Sequence, residues 1–194
     1  MALLKIAKLG NPILRQIAEE VAPKECQTHS FQQFLENMVE TMRKRDGVGL
    51  AAPQVFISKR VIVVEAEDNP RYPESPTLPL LVIINPVLTN YSEETVESWE
   101  GCLSVDNLRG KVKRSACVHL SGYDRFMEKP IEIEAKGFLS VVFQHEVDHL
   151  NGLLYIDRIN DLKMLSQLEE YDRYWSNAET ANDAEAAVGL KTTH

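Results

Sequence analysis

The sequence predicts an α+β fold: antiparallel β-sheets packed around a central helix, with an N-terminal and a C-terminal helix. Three observations predict it. Between Arg60 and Glu134, alternating or apolar segments recur between turn residues with no helical pattern among them, as antiparallel strands require and βαβ units do not. The run Phe138-Leu139-Ser140-Val141-Val142-Phe143 is apolar almost all round, which suits a buried central helix. Apolar residues at helical spacing mark one segment before this region and one after it.

In chain order, Leu9-Gly10-Asn11-Pro12 reads as a turn. Ser30 followed by Gln33 resembles a capping box. Phe31, Leu35, Met38, Val39 and Met42 then form one face of a helix that ends near Asp46-Gly47. Gly47-Val48-Gly49-Leu50-Ala51-Ala52-Pro53-Gln54 contains half of a dinucleotide-binding pattern, with Glu65 or Glu67 at a suitable distance. A helix rather than a strand precedes those glycines, however, and Pro53 would break the helix that should follow. The better reading is a small-residue strand or loop where the backbone passes close to something, with Gln54 offering an amide donor. An ordinary glycine-rich turn is the competing reading of this segment alone.

Strands are expected at Arg60 to Ala66, at Leu80 to Ile84 (ended by Asn85-Pro86), at Thr95 to Trp99, along Lys111 to Leu120, and at Ile131 to Glu134. Residues 67–79 carry four prolines and read as an extended, polyproline-like loop. The second amphipathic helix begins near Asp161, with Leu162, Leu165, Leu168, Tyr171 and Trp175 on one face. One domain over 1–175 is expected, and the polar tail 176–194 reads as frayed or disordered.

The chain of 194 residues has a formal net charge of −8, which argues against general nucleic-acid binding. No stretch resembles a membrane span. The N-terminal apolar character is broken at Lys5 and Lys8, so no signal peptide is read there. Three cysteines form a sparse, odd set, which fits a reducing cytoplasm.

The chemistry centres on Gln144-His145-Glu146-Val147-Asp148-His149-Leu150. Residues i and i+4 share one face of a helix, so His145 and His149 can offer imidazole nitrogens to one metal ion. Glu146 reaches towards water at that ion without being a ligand. A solvated surface helix is the bland alternative, but a buried helix carrying these groups needs partners for all of them, and Gly152 is well placed to end it. A catalytic site of this kind takes three protein ligands and leaves one position open. Spacing leaves the third open: Glu169 or Glu170 on a following helix, as in a metallo-endopeptidase, or Cys102 between Gly101 and Leu103. Cys26 and Cys117 read as structural.

Three segments, Gly47 to Gln54, Glu100-Gly101-Cys102-Leu103-Ser104 and Gln144 to Leu150, occur in an order that resembles the three signature motifs of the peptide deformylases. Leu9 to Arg15 resembles that family's opening. The resemblance implies Cys102, His145 and His149 as metal ligands, with water fourth, and Glu146 as general base. It implies that Gln54 and the Leu103 N–H stabilise the oxyanion as water attacks the formyl carbon of an N-formylmethionyl nascent peptide, releasing formate. Val48 and Gly49 would pair with the peptide backbone, and Glu100, Arg109, Val141 and Val142 would shape the methionine pocket. It also implies one divalent metal per chain, Fe²⁺ in the cell, although Zn²⁺, Ni²⁺ or Co²⁺ suit the same donors. Arg114 is expected to pair with Asp148 and brace the ligand helix.

Two departures stand out. Asp106-Asn107 replaces the Pro-Gly that commonly follows the second motif, and Asn tolerates the left-handed conformation that Gly would offer. The stretch from Asp157 to Glu185 holds eight acids against three bases, so proximity to the ribosome is not expected through a basic C-terminal helix. A non-catalytic peptide-binding homologue is disfavoured, because every chemical role has an occupant.

Overall fold

The computed structural model of the chain describes residues 2–66 and 78–176. The proline-rich loop, up to residue 77, and the tail beyond residue 176 lie outside them. Helix α1 (Pro23–Cys26) is a single turn leading into α2 (His29–Lys44). The expected stripe of Phe31, Leu35, Met38, Val39 and Met42 is buried, facing β1 (Gly49–Ala51) and β2 (Val61–Ala66). The cap is not Ser30. Thr28 Oγ1 accepts from the Phe31 N–H at 3.3 Å, and Ser30 lies inside the first turn. Either hydroxyl satisfies an orphan donor equally well, so local sequence could not choose between them.

The remaining strands are β3 (Leu78–Thr89), β4 (Thr95–Cys102), β5 (Val105–Ser115), β6 (Cys117–Tyr123), β7 (Pro130–Lys136) and β8 (Leu165–Gln167). They form a sheet of order β1-β2-β3-β6-β7 and a second of order β4-β5-β8, with every neighbouring pair antiparallel.

Two strand expectations need correction. Strand β3 does not end at Asn85-Pro86. Asn85 takes φ 51°, the register slips between Ile84 and Val87, and the strand runs on through this bulge, where a proline is tolerated. The Asn85 side chain is held there by the Val21 N–H and C=O, at 2.9 and 3.0 Å. The stretch Lys111 to Leu120 is not one strand but parts of β5 and β6, which lie in different sheets. At the corner, the Ala116 N–H turns to the Glu94 carbonyl at 2.9 Å. The alternation continues across that corner, so periodicity could not detect it.

The C-terminal helix is also shorter than expected. A 3₁₀ turn (Leu162–Met164) and β8 come first, and α4 covers only Leu168–Tyr174. Leu165 pairs with Gly110 on the open edge of β5, and that pairing overrides the local helical pattern. Trp99 packs on Tyr171 and Trp175, with ring centroids 5.2 and 5.5 Å apart.

Helix α3 (Phe138–Leu150) sits between the two sheets, touching β1, β7 and β5. Val142, Phe143, Val147 and Leu150 pack with Ile62, Val64, Ile83, Val118, Leu120 and Ala135. Burying such side chains anchors the helix firmly; truncating one Phe in a core of this kind costs about 3–5 kcal/mol. The helix stops where Gly152 takes φ +73°, as expected, and the Leu153 N–H caps the Asp148 carbonyl at 2.9 Å. Among the described residues, no helix is long and apolar enough to cross a membrane.

Candidate metal centre

Three elements converge on one point. Helix α3 presents His145, Glu146 and His149; the end of β4 presents Cys102; the 3₁₀ turn Ala52–Val55 that follows β1 presents Gln54. A register slip between Glu100 and Cys102 turns the end of β4 towards the helix. One ligand atom each from Cys102, His145 and His149 lies within 4.8 Å of the others, and Cys102 Sγ is 3.3 Å from His149 Nε2. Of the candidates for a third donor, Cys102 is the one that joins the two histidines. Glu169 and Glu170 are exposed on α4, outside this cluster, and Glu170 pairs with Arg173 at 3.2 Å. The endopeptidase alternative is not favoured: α4 packs on β5 and β8, and neither glutamate joins the donor cluster.

The cluster is electrostatically prepared. Glu100 is buried behind His145, and its Oε2 lies 2.7 Å from Nδ1. Burial alone would raise the Glu100 carboxyl, but hydrogen bonds from His145 and Arg114 outweigh it and hold it at about 2. An ionised Glu100 can only accept, so His145 Nδ1 donates to it, which leaves Nε2 as the ring nitrogen facing the site. Burial likewise pushes the Cys102 thiol up, yet His149 and His145 bring it well below its usual value, favouring the thiolate that ligates metals. The sulfur accepts from Gln54 Nε2 at 3.3 Å and from the Ser104 N–H at 3.4 Å.

Glu146 is buried beside Gly49, and its Oε2 has no hydrogen-bond partner. Burial pushes its carboxyl up to about 7, against the opposing pull of His145 and His149, a suitable range for proton exchange near neutral pH. A Cβ at Gly49 would lie 2.6 Å from Glu146 Cδ and 2.8 Å from Cγ. This is the close approach that the small-residue segment implied. Gln54 is only 2% exposed. Its Oε1 accepts from the Ala51 N–H at 2.8 Å, which leaves Nε2 facing Cys102 and Ser104.

Of the other expected residues, Val48 and Gly49 lie at β1, the edge strand of the larger sheet, and Leu103 forms the turn after Cys102. Arg109 lies across Gly101, with its guanidinium 6.0 Å from the Tyr171 ring centroid. Val141 is partly exposed, whereas Val142 is only 5% exposed and belongs to the core. Glu100, expected at the pocket, has both oxygens engaged by Arg114 and His145. Arg114 does reach Asp148, at 2.5 Å.

Sequence reading missed two participants. Ser104 is fully buried, with its hydroxyl accepting from Gln54 at 3.1 Å; it stood in the second motif without a role. Arg158 grips both oxygens of Asp148, at 3.1 and 2.7 Å, and no periodic or motif signal marks it.

Comparison with known proteins agrees with this geometry. The family model for polypeptide deformylase matches residues 3–164. A peptide deformylase of Leptospira biflexa is 44% identical over 173 residues, covering 89% of this chain and 96% of that protein. One from Pelotomaculum thermopropionicum is 42% identical, covering 88% of this chain and all of its own. Among solved structures, a Met-Ala-Ser-bound class I type b peptide deformylase from Acinetobacter baumannii superposes with TM-score 0.78 at 42% identity, covering 81% of this chain and 99% of its own. The Thermotoga maritima peptide deformylase gives 0.72 at 35%, covering 83% and 100%. The chain therefore belongs to the peptide deformylase family, metal-dependent hydrolases that remove the formyl group from the N-terminal methionine of newly synthesised polypeptides and release formate.

Proposed function

We propose that Cys102, His145 and His149 hold the metal ion, and that Glu146, Gln54 and Leu103 carry out the deformylation beside it. The observation that carries this reading is the convergence of the three donors with a buried, unpartnered oxygen of Glu146. The donor set fits an ion: two ligands of one tetrahedral metal sit roughly 3.5 Å apart, against 3.3 Å between Cys102 Sγ and His149 Nε2. A thiolate with two imidazoles suits Fe²⁺, Zn²⁺, Co²⁺ or Ni²⁺, and Fe²⁺ is proposed for the cell. When bound, the ion supplies a Lewis acid that polarises the formyl carbonyl and acidifies water.

The protein's own groups do the rest. Glu146 accepts the proton of the attacking water at a carboxylate oxygen. As charge grows on the former carbonyl oxygen, the Gln54 Nε2–H and the Leu103 N–H donate to it. Losing one such donor typically costs roughly a hundred- to a thousand-fold in rate. Glu146 then passes its proton to the departing nitrogen, the C–N bond breaks, and formate and a free α-amino group result.

The substrate backbone is proposed to add along β1 at Val48 and Gly49. Among the described residues that strand pairs only with β2, and an open edge reads main chain while tolerating varied sequence. Arg109, which lies across Gly101, and the partly exposed Val141 are proposed to shape the flanking methionine pocket. The Met-Ala-Ser complex of the Acinetobacter relative supports a peptide that begins with methionine. Action on nascent chains in the cytoplasm follows from that substrate, with any approach to the ribosome made by surfaces other than a basic C-terminal helix.

The test is formate release from N-formyl-Met-Ala-Ser by protein purified without oxygen and loaded with Fe²⁺ or Ni²⁺. Glu146→Ala should keep its metal and lose turnover, and Cys102→Ala should lose both. Full turnover by Glu146→Ala would remove its assignment, and cleavage of unblocked peptides would overturn the reaction class.

A further inference from the structure

Lys8 precedes every motif described above, yet it reaches the site's supporting turn. Its ammonium donates to the Leu103 carbonyl at 2.8 Å and to Asp106 Oδ1 at 2.7 Å. The backbone on either side is pinned as well. The Ala7 N–H donates to the Gln54 carbonyl and the Leu9 N–H to the Ser104 carbonyl, each at 2.7 Å. Residues 7–9 therefore strap together, from behind, the two backbone segments that supply the proposed oxyanion donors.

The carbonyl that Lys8 grips belongs to the same peptide unit as the Ser104 N–H, which donates to Cys102 Sγ at 3.4 Å. A cation on the oxygen of a peptide draws density from its nitrogen and strengthens that N–H as a donor. Hydrogen bonds to a ligating sulfur in turn tune the charge it gives to a metal. Asp106, the residue that departs from the motif, anchors the ammonium, and Asn107 beside it takes φ 56° within β5.

We infer that Lys8 is a positioning residue for deformylation: its ammonium fixes the Cys102-Leu103-Ser104 turn and reinforces the N–H···S bond to the metal-ligating thiolate. This rests on the site reading above. A half-exposed side chain acting through another group should matter less than a donor itself.

The experiment compares wild type, Lys8→Met and Lys8→Arg as holoenzymes, with two readouts. Formate release separates kcat from KM, and the thiolate-to-metal charge-transfer band of the Co²⁺-loaded protein reports on the sulfur directly. Lys8→Met should lower kcat roughly three- to tenfold, less than the loss of a donor, with KM within twofold and the cobalt band shifted. Lys8→Arg, which keeps a charged donor, should stay close to wild type on both. An unchanged kcat and band in Lys8→Met would overturn the inference. So would a fall in kcat with an unshifted band, or an effect of Lys8→Arg as large as that of Lys8→Met. Failure of the wild type itself to release formate would instead overturn the reading of the site.

Discussion

Arg114 and Glu100 meet through two parallel hydrogen bonds, Nε to Oε1 at 2.8 Å and Nη2 to Oε2 at 3.0 Å, with side-chain exposures of 3% and 5%. The same guanidinium reaches Asp148 on α3 through Nη1 at 2.5 Å. One cation thus ties the strand that carries Cys102 to the helix that carries both histidines. Burial alone would lower its pKa, but Glu100 and Asp148 hold it above the usual arginine range.

Replacing Arg114 with Met would leave two buried carboxylates short of a partner, with Arg158 compensating only at Asp148. Breaking a buried pair from one side costs about 3–5 kcal/mol. A lower urea midpoint and faster metal release are expected, the latter because Glu100 also orients His145. Unchanged values of both would remove the bracing role.

Gly49→Ala tests the contact with Glu146. The added methyl meets the Glu146 side chain as far back as Cγ, so the whole carboxylate must swing away. A displacement of about 1 Å at a catalytic group can cost on the order of a hundredfold. A tenfold or greater loss of kcat is expected with the metal content unchanged, measured by formate release and metal analysis.

Removing the metal should cost stability as well as activity, because the ion binds only where the fold gathers its donors. Metal at a hundredfold excess over its dissociation constant stabilises by about 2.7 kcal/mol. For a chain of this size that corresponds to roughly 5–10 °C in Tm. Chelation should lower Tm by such an amount, and re-addition of the ion should restore it.

Asp157 supplies a pH-dependent prediction away from the metal. Its carboxylate pairs with Arg15 and accepts the Leu154 N–H at 2.8 Å. Burial would raise its pKa, but these bonds outweigh it and leave the folded value below the usual 3.8. A depressed acid contributes stability above its unfolded pKa, and that contribution is lost as pH falls through the folded value. Asp157→Asn should therefore destabilise by about 1 kcal/mol near pH 6. The urea midpoints of mutant and wild type should converge as pH falls through the folded value, below the usual 3.8, until the acid is protonated in both states. A gap that persists at low pH would assign the effect to packing instead.

The chemical character of the site was legible in the chain because it is local. Helical spacing alone puts His145 and His149 on one face, and the apolar run before them marks the helix as buried. The same is true of the stripe on α2 and of the left-handed Asn107, since backbone preference and periodicity act over a few residues. Choosing among hydroxyls for the α2 cap failed because Thr28 and Ser30 are chemically equivalent at that distance.

Questions of pairing needed the folded chain. Cys102 meets His149 across 47 residues of sequence, where spacing alone had left Glu169 and Glu170 as equal candidates, because no spacing rule connects the pair. Leu165 to Gln167 became a strand because the edge of β5 was there to receive it, although the apolar pattern suits a helix. Glu100, Arg114 and Asp148 form one buried network that the half-exposed Arg158 joins at Asp148; the Arg114–Asp148 pair was expected, but no local pattern marked Glu100 or Arg158 as its other members. Local forces set which groups are available; which of them meet depends on sheet register and helix docking, where long-range burial outweighs the small preferences of each segment.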